Sequence, residues 1–143
     1  FHFWRSAKSL DALNGEAMAL LEAVDLTSFA DTVTAEMPYG RKRALEIATT
    51  LALEPTMLLL DEPTQGMGNE DIARVVELIR KVSANRTILM VEHNLSVVAN
   101  LCDRITVLTR GSVLAEGTYA EVSKNPKVLE AYVGSDDMND AHH

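Results

Sequence analysis

The chain has 143 residues, 47% hydrophobic and 24% charged, a globular composition with enough length for one real core. Its net charge of −8 and pI near 4.9 exclude a chain that grips nucleic acid by its backbone, so no nucleic-acid partner is expected. Cys102 is the only cysteine, which excludes an internal disulfide; no apolar run approaches the ~20 residues of a membrane span; and the opening FHFWRSAKSLDALNG lacks the apolar stretch of a signal peptide.

In chain order, residues 15–25 (GEAMALLEAVD) carry Ala17, Leu20, Leu21 and Val24 at helical spacing and predict an amphipathic helix. A short helical turn is expected around Leu26–Val33. Pro38 marks a boundary and suits the first position of the next helix, where its missing N–H costs nothing. Over Arg41–Leu53 the residues Ala44, Leu45, Ala48, Leu51 and Ala52 form one apolar face, and Glu54-Pro55 ends it.

Met57–Leu60 is short and continuously apolar, which predicts a strand covered on both faces, as in a parallel sheet. Residues 69–83 predict a helix with Ile72, Val75, Val76 and Ile79 inward. Thr87–Val91 (TILMV) predicts a second buried strand, and the crossover makes the two strands parallel. A helix over 95–102 follows, with Cys102 expected as a buried, inert thiol. Ile105–Thr109 and Ser112–Glu116 predict a hairpin around Arg110-Gly111. Tyr119–Ser123 and Pro126–Val133 read as short helices, with Val128, Leu129 and Tyr132 inward on the last. The polar, acidic tail 134–143 is expected to be disordered.

Open α/β sheets bind ligands at the carboxyl ends of their strands. The first strand delivers Asp61 and Glu62 to that rim, and the second delivers Glu92 and His93. An aspartate there can hold Mg²⁺ through water, and a glutamate next to it can orient or deprotonate an attacking water. A histidine can hydrogen-bond the γ-phosphate. On residue type alone Asp-Glu-Pro is also turn chemistry, a histidine after a strand is often structural, and Glu92 reads as scaffold.

LLLDEP, a loop and helix, and then ILMVEH resemble the C-terminal half of an ATP-binding-cassette ATPase, over roughly residues 10–133. The resemblance implies a partial P-loop NTPase-like α/β cassette: parallel strands with flanking helices, a helical subdomain over 1–53, the ATPase core's C-terminal half over 54–133, and a hairpin. It also implies ATP and Mg²⁺ as cofactors, with Asp61 serving the metal, Glu62 the catalytic base and His93 the switch histidine. The signature would be Met37, Pro38, Tyr39, Gly40 and Arg41, which contact the ATP of a partner subunit; Pro38 stands where the family has serine, so that contact falls to backbone N–H groups at a helix start. The D-loop would be Gln65–Asn69, with Gly66, Met67, Gly68 and Asn69, and its usual acidic residue falls on Gly68 or is displaced to Asn69.

PYG followed by RALEIA, and the closing RGSVLAEGTYAEVSKNPKVLEAYVG, are similar to ATPase subunits of bacterial importers for branched-chain and other hydrophobic amino acids. That resemblance implies a second cassette subunit and transmembrane permease subunits as partners, at the cytoplasmic face of the inner membrane. Phe3, Trp4 and Phe29 are candidates for the permease contact, with core packing the plainer role for each. A soluble cassette of repair or translation, or a non-enzymatic module on the same scaffold, are the alternatives.

A phosphate loop requires G-x-x-x-x-G-K-[ST]. The seven glycines stand at 15, 40, 66, 68, 111, 117 and 134, and none precedes a lysine. The expectation is therefore a fragment that keeps signature, carboxylates and histidine, is inactive on its own, and leaves apolar strands with bare edges.

Overall fold

A computed structural model describes residues 7–131, with side chains from residue 13 onward. Phe3, Trp4, Tyr132 and the tail 134–143 lie outside the described residues. The chain divides into two units, residues 1–92 and 93–143.

The first unit opens with α1 (Ala7–Ala23). It ends in a Schellman arrangement: Asp25 takes φ +57, its N–H donates to Glu22 O at 3.2 Å, and Leu26 N–H donates to Leu21 O at 2.7 Å. This turn buries Val24 and Leu26 while Ala17, expected inward, is exposed. Two 3₁₀ turns follow, Thr27–Phe29 and Thr34–Glu36. Helix α2 (Tyr39–Leu51) has Pro38 as its N-cap, one residue ahead of the expected first helical position. Its buried face is Gly40, Ala44, Ile47, Ala48 and Leu51. Ile47 therefore takes the place expected for Leu45, which is half-buried, and Ala52 is exposed beyond the helix.

Strands β1 (Met57–Asp61) and β2 (Thr87–Val91) pair in parallel, with Met57 opposite Thr87 and Asp61 opposite Val91. Helix α3 (Asn69–Ser83) is the crossover between them, packed on α2. It buries Val75, Leu78, Ile79 and Val82, while Ile72 and Val76 are half-buried, so its inward stripe lies further along the helix than the sequence reading put it.

Cover on both sheet faces is not what the strands receive. Leu58 is buried, but Met57, Leu59, Leu89 and Val91 share the opposite face and are 48%, 71%, 57% and 60% exposed. Among the described residues the sheet has two strands, and within the first unit that face finds no cover.

The second unit starts with α4 (Leu95–Leu101), whose N-cap Asn94 accepts from Ser96 N–H and Val97 N–H at 3.0 and 3.3 Å. Cys102 ends this helix in an extended conformation and is half-buried, against the expectation of a buried thiol. β3 (Ile105–Thr109) and β4 (Ser112–Gly117) form the antiparallel hairpin, bulged between Val107 and Leu108. Arg110 and Gly111 both take positive φ, +47° and +78°, which suits a two-residue turn between right-twisted strands. Helix α5 (Tyr119–Val122) and a helical segment over 126–131 close the described chain. Val122 and Val128 are buried; Leu129, expected inward, is 51% exposed because Val128 takes the inward position.

Candidate active site

The carboxyl ends of β1 and β2 are level, and β1 ends on Asp61, an exposed carboxylate. Glu62 follows with φ +42°, a left-handed conformation that costs a residue with a Cβ roughly 1–2 kcal/mol. Such strain persists only where the surroundings fix the backbone.

Here the backbone is fixed from three directions. Glu62 N–H donates across the rim to Val91 O at 2.9 Å, and Glu62 O accepts from Gln65 N–H at 3.1 Å, closing a turn. The turn's interior is dry: Pro63 is fully buried and Thr64 is 4% exposed. Thr64 donates to Glu92 Oε1 twice, through its N–H at 3.2 Å and through its hydroxyl. Glu92 thus keeps its expected scaffold role, as the residue after β2 that ties the turn after β1. From α2, the Arg43 guanidinium donates to Asp61 O at 2.8 Å, to Glu62 O at 3.2 Å and to Pro63 O at 3.4 Å.

Neither Arg43 nor Thr64 stands out in the sequence. One signal was available: Arg43 is the third cation of RKR at the start of a helix that must pack beside the strand.

The remaining candidates are distributed as follows. Met37 is buried and Pro38 and Tyr39 are exposed at the start of α2. Pro38 O accepts from the N–H groups of Arg41 and Lys42, both at 3.0 Å, so Tyr39 N–H and Gly40 N–H stand ahead of the first intrahelical bonds. The Arg41 cation lies 5.6 Å from the Phe29 ring centroid and its Nη1 donates to Asp25 O at 3.4 Å, which directs it to the end of α1. Gly66 (φ +74°), Met67 and Gly68 lead from the carboxylate turn into α3, where Asn69 is the first helical residue. His93 is exposed and opens the second unit.

The donor set bears on a metal. The described residues hold no cluster of three or more His, Cys, Asp or Glu side chains that would cage an ion. A single exposed carboxylate of hard oxygen atoms fits Mg²⁺ that keeps its waters and binds chiefly to substrate phosphates. Among the described residues no helix is long and apolar enough to cross a membrane.

The ABC transporter family matches residues 4–65, and the branched-chain amino acid ATP-binding cassette transporter family matches residues 112–138. The high-affinity branched-chain amino acid transport ATP-binding protein BraF of Pseudomonas aeruginosa is 38% identical over 116 residues, 80% of this chain and 46% of that protein. LivG of Escherichia coli K12, which carries the same description, is 37% identical over 133 residues, 92% of this chain and 51% of that protein. The ADP conformation of MJ1267, an ATP-binding cassette of an ABC transporter, superposes with a TM-score of 0.79 at 27% identity, over 92% of this chain and 53% of that one. The chain spans about half the length of the curated relatives it matches.

Proposed function

The chain belongs to the ATP-binding-cassette ATPase family, and from that premise we propose that it supplies the signature and the catalytic carboxylates of the ATP-hydrolysing subunit of an importer for branched-chain or related hydrophobic amino acids. The observation that carries the proposal is the turn after β1: Glu62 is held at φ +42° by the bond it donates to Val91 O and the bonds it accepts from Gln65 and Arg43, at the rim where an open parallel sheet takes its ligand. A strained, over-determined carboxylate next to a second, exposed one is an arrangement for chemistry rather than for stability.

In the proposed reaction Glu62 orients water and takes its proton as the water oxygen bonds to the γ-phosphorus and the bond to the β-phosphate oxygen breaks. Asp61 would hold Mg²⁺ through water; the ion, when bound, neutralises charge on the β- and γ-phosphate oxygens. His93 is assigned a hydrogen bond to the γ-phosphate. The N–H groups at the start of α2, in the segment Met37–Arg41, are assigned to the nucleotide of a second cassette, with Gly66–Asn69 meeting that subunit alongside them. No glycine here precedes a lysine, so in the proposed assembly the phosphates are gripped by residues other than these 143. Permease subunits complete the assembly and place it at the cytoplasmic membrane face.

The test is phosphate release and leucine uptake by the reconstituted assembly containing this chain, with wild-type and Glu62→Gln forms compared. The proposal expects ATP-dependent leucine uptake that Glu62→Gln abolishes while nucleotide binding persists. Uptake unaffected by Glu62→Gln would remove Glu62 from its role. Hydrolysis without uptake of any branched-chain amino acid would remove the solute class.

A further inference from the structure

We infer that Arg43 is a positioning residue for hydrolysis, holding the backbone turn from which Glu62 acts and joining that turn to the helix that begins at the signature. The inference rests on the reading of Glu62 as the base.

Three successive carbonyls, those of Asp61, Glu62 and Pro63, converge on one guanidinium at 2.8, 3.2 and 3.4 Å. Consecutive carbonyls of an extended strand alternate in direction and cannot do this. They converge here because the chain bends at Glu62, so the Arg43 contact and the left-handed φ are two aspects of one conformation. The planar fork of arginine fits such a set of acceptors, and its charge strengthens each bond. The fourth direction is also fixed: Nη1 donates to Glu46 Oε2 at 2.7 Å, one turn along α2. The side chain is 29% exposed, enough removed from water for orientation to matter.

The other ties on the turn come from β2 and from the turn itself. Arg43 ties it to α2, one turn after Gly40. A displacement of the signature segment is thereby passed to the Glu62 backbone through the planar guanidinium of Arg43. Lysine carries its donors on one nitrogen without the planar fork, so it cannot reproduce this geometry.

The experiment compares Arg43→Gln and Arg43→Lys with wild type in the reconstituted assembly. Arg43→Gln is expected to lower kcat about 10- to 100-fold, the scale of a small misplacement of a catalytic group, with affinity for a fluorescent ATP analogue within about twofold. Arg43→Lys should recover part of that loss. In the 143-residue chain, Arg43→Gln should speed amide hydrogen exchange at Glu62, Thr64 and Gln65 about tenfold while the Val75–Ile79 amides keep theirs. A normal kcat in Arg43→Gln, or a loss matched by the loss of folded protein, overturns the inference. If the wild-type assembly hydrolyses no ATP, the reading of Glu62 fails instead; the exchange rates then decide whether Arg43 holds the turn, and unchanged rates overturn that too.

Discussion

A Cβ built on Gly40 would lie 2.8 Å from Asp71 Cγ and 2.9 Å from its Oδ1, so α2 and α3 meet where only a hydrogen fits. Asp71 also accepts from Arg74 Nη1 at 3.4 Å, an exposed pair of small worth. Gly40→Ala must push the carboxylate aside. Alanine's better helix propensity offsets up to ~1 kcal/mol of a clash costing about 1–3 kcal/mol. The expected net loss in urea unfolding is about 1 kcal/mol. Introduced into Asp71→Ala, which leaves only the Cβ contact at 3.1 Å, the same substitution should cost less; simple additivity of the two changes would show that the contact is not where the cost arises.

Glu62→Gly separates stability from chemistry. Glycine releases about 1–2 kcal/mol of left-handed strain but costs roughly 0.5–1 kcal/mol through the freer unfolded chain. A net gain of about 0.5 kcal/mol is expected, with a Tm at or slightly above wild type. Hydrolysis by the assembly should fall at least ~100-fold. A clear drop in Tm would show that Glu62 serves the fold more than the reaction.

Thr64→Val keeps the shape and deletes the hydroxyl. Glu92 then loses one of its two bonds from residue 64. Leaving a half-buried carboxylate short of a partner costs about 1–3 kcal/mol. Chemical denaturation should show that loss, and Glu92→Gln should reduce it, since a neutral amide is less costly to leave short. Equal losses in both backgrounds would remove Glu92 from the explanation.

The parallel pair, the crossover helix and the hairpin were legible because each depends on a local pattern: four apolar residues before a polar turn, a stripe at helical spacing, Arg110-Gly111 between alternating runs. The backbone around the carboxylates was not. Arg43 reaches Asp61 across 18 residues and Thr64 reaches Glu92 across 28, and no local spacing encodes such pairings. Nor does apolarity say which face of a strand is covered. Leu58 and Leu59 are the same residue type, yet one is 1% and the other 71% exposed. The left-handed φ of Glu62 escaped for a similar reason, since turn propensities point to glycine or asparagine at such a position.

The second unit should lose local order in acid. Glu121 caps α5, accepting from Thr118 N–H at 2.8 Å and Thr118 Oγ1 at 2.9 Å, and these bonds hold its carboxyl below the ordinary value of 4.5. Arg104 likewise lowers Glu116 through their hydrogen bond at 3.0 Å. A lowered carboxyl stabilises the fold above its ordinary value and stops doing so as pH falls through the lowered one. Amide exchange at Val122 and Ser123 should therefore quicken as the pH falls below the ordinary carboxyl value of 4.5, after correction for the intrinsic rate. Glu121→Gln, which keeps acceptor atoms but no charge, should flatten that step. A step that survives in Glu121→Gln would assign it elsewhere.

Self-association of the 143-residue chain follows from its first sheet. Met57, Leu59, Leu89 and Val91 form one exposed apolar face, and each of the two strands has a second edge with no strand beside it among the described residues. Such an edge recruits another strand, and an apolar face beside it adds area to the contact. The net charge of −8 opposes this at long range. Salt decides the balance, because the screening length shrinks from about 10 Å at 0.1 M to about 3 Å at 1 M while burial of apolar surface is kept. Sedimentation velocity should show larger species as salt rises. Leu59→Lys with Leu89→Lys should return the chain to monomer at both salts with an unchanged far-ultraviolet spectrum. The double change also makes the net charge less negative by two, so charge repulsion alone would predict more association in the variant, not less; an increase would locate the contact away from this sheet.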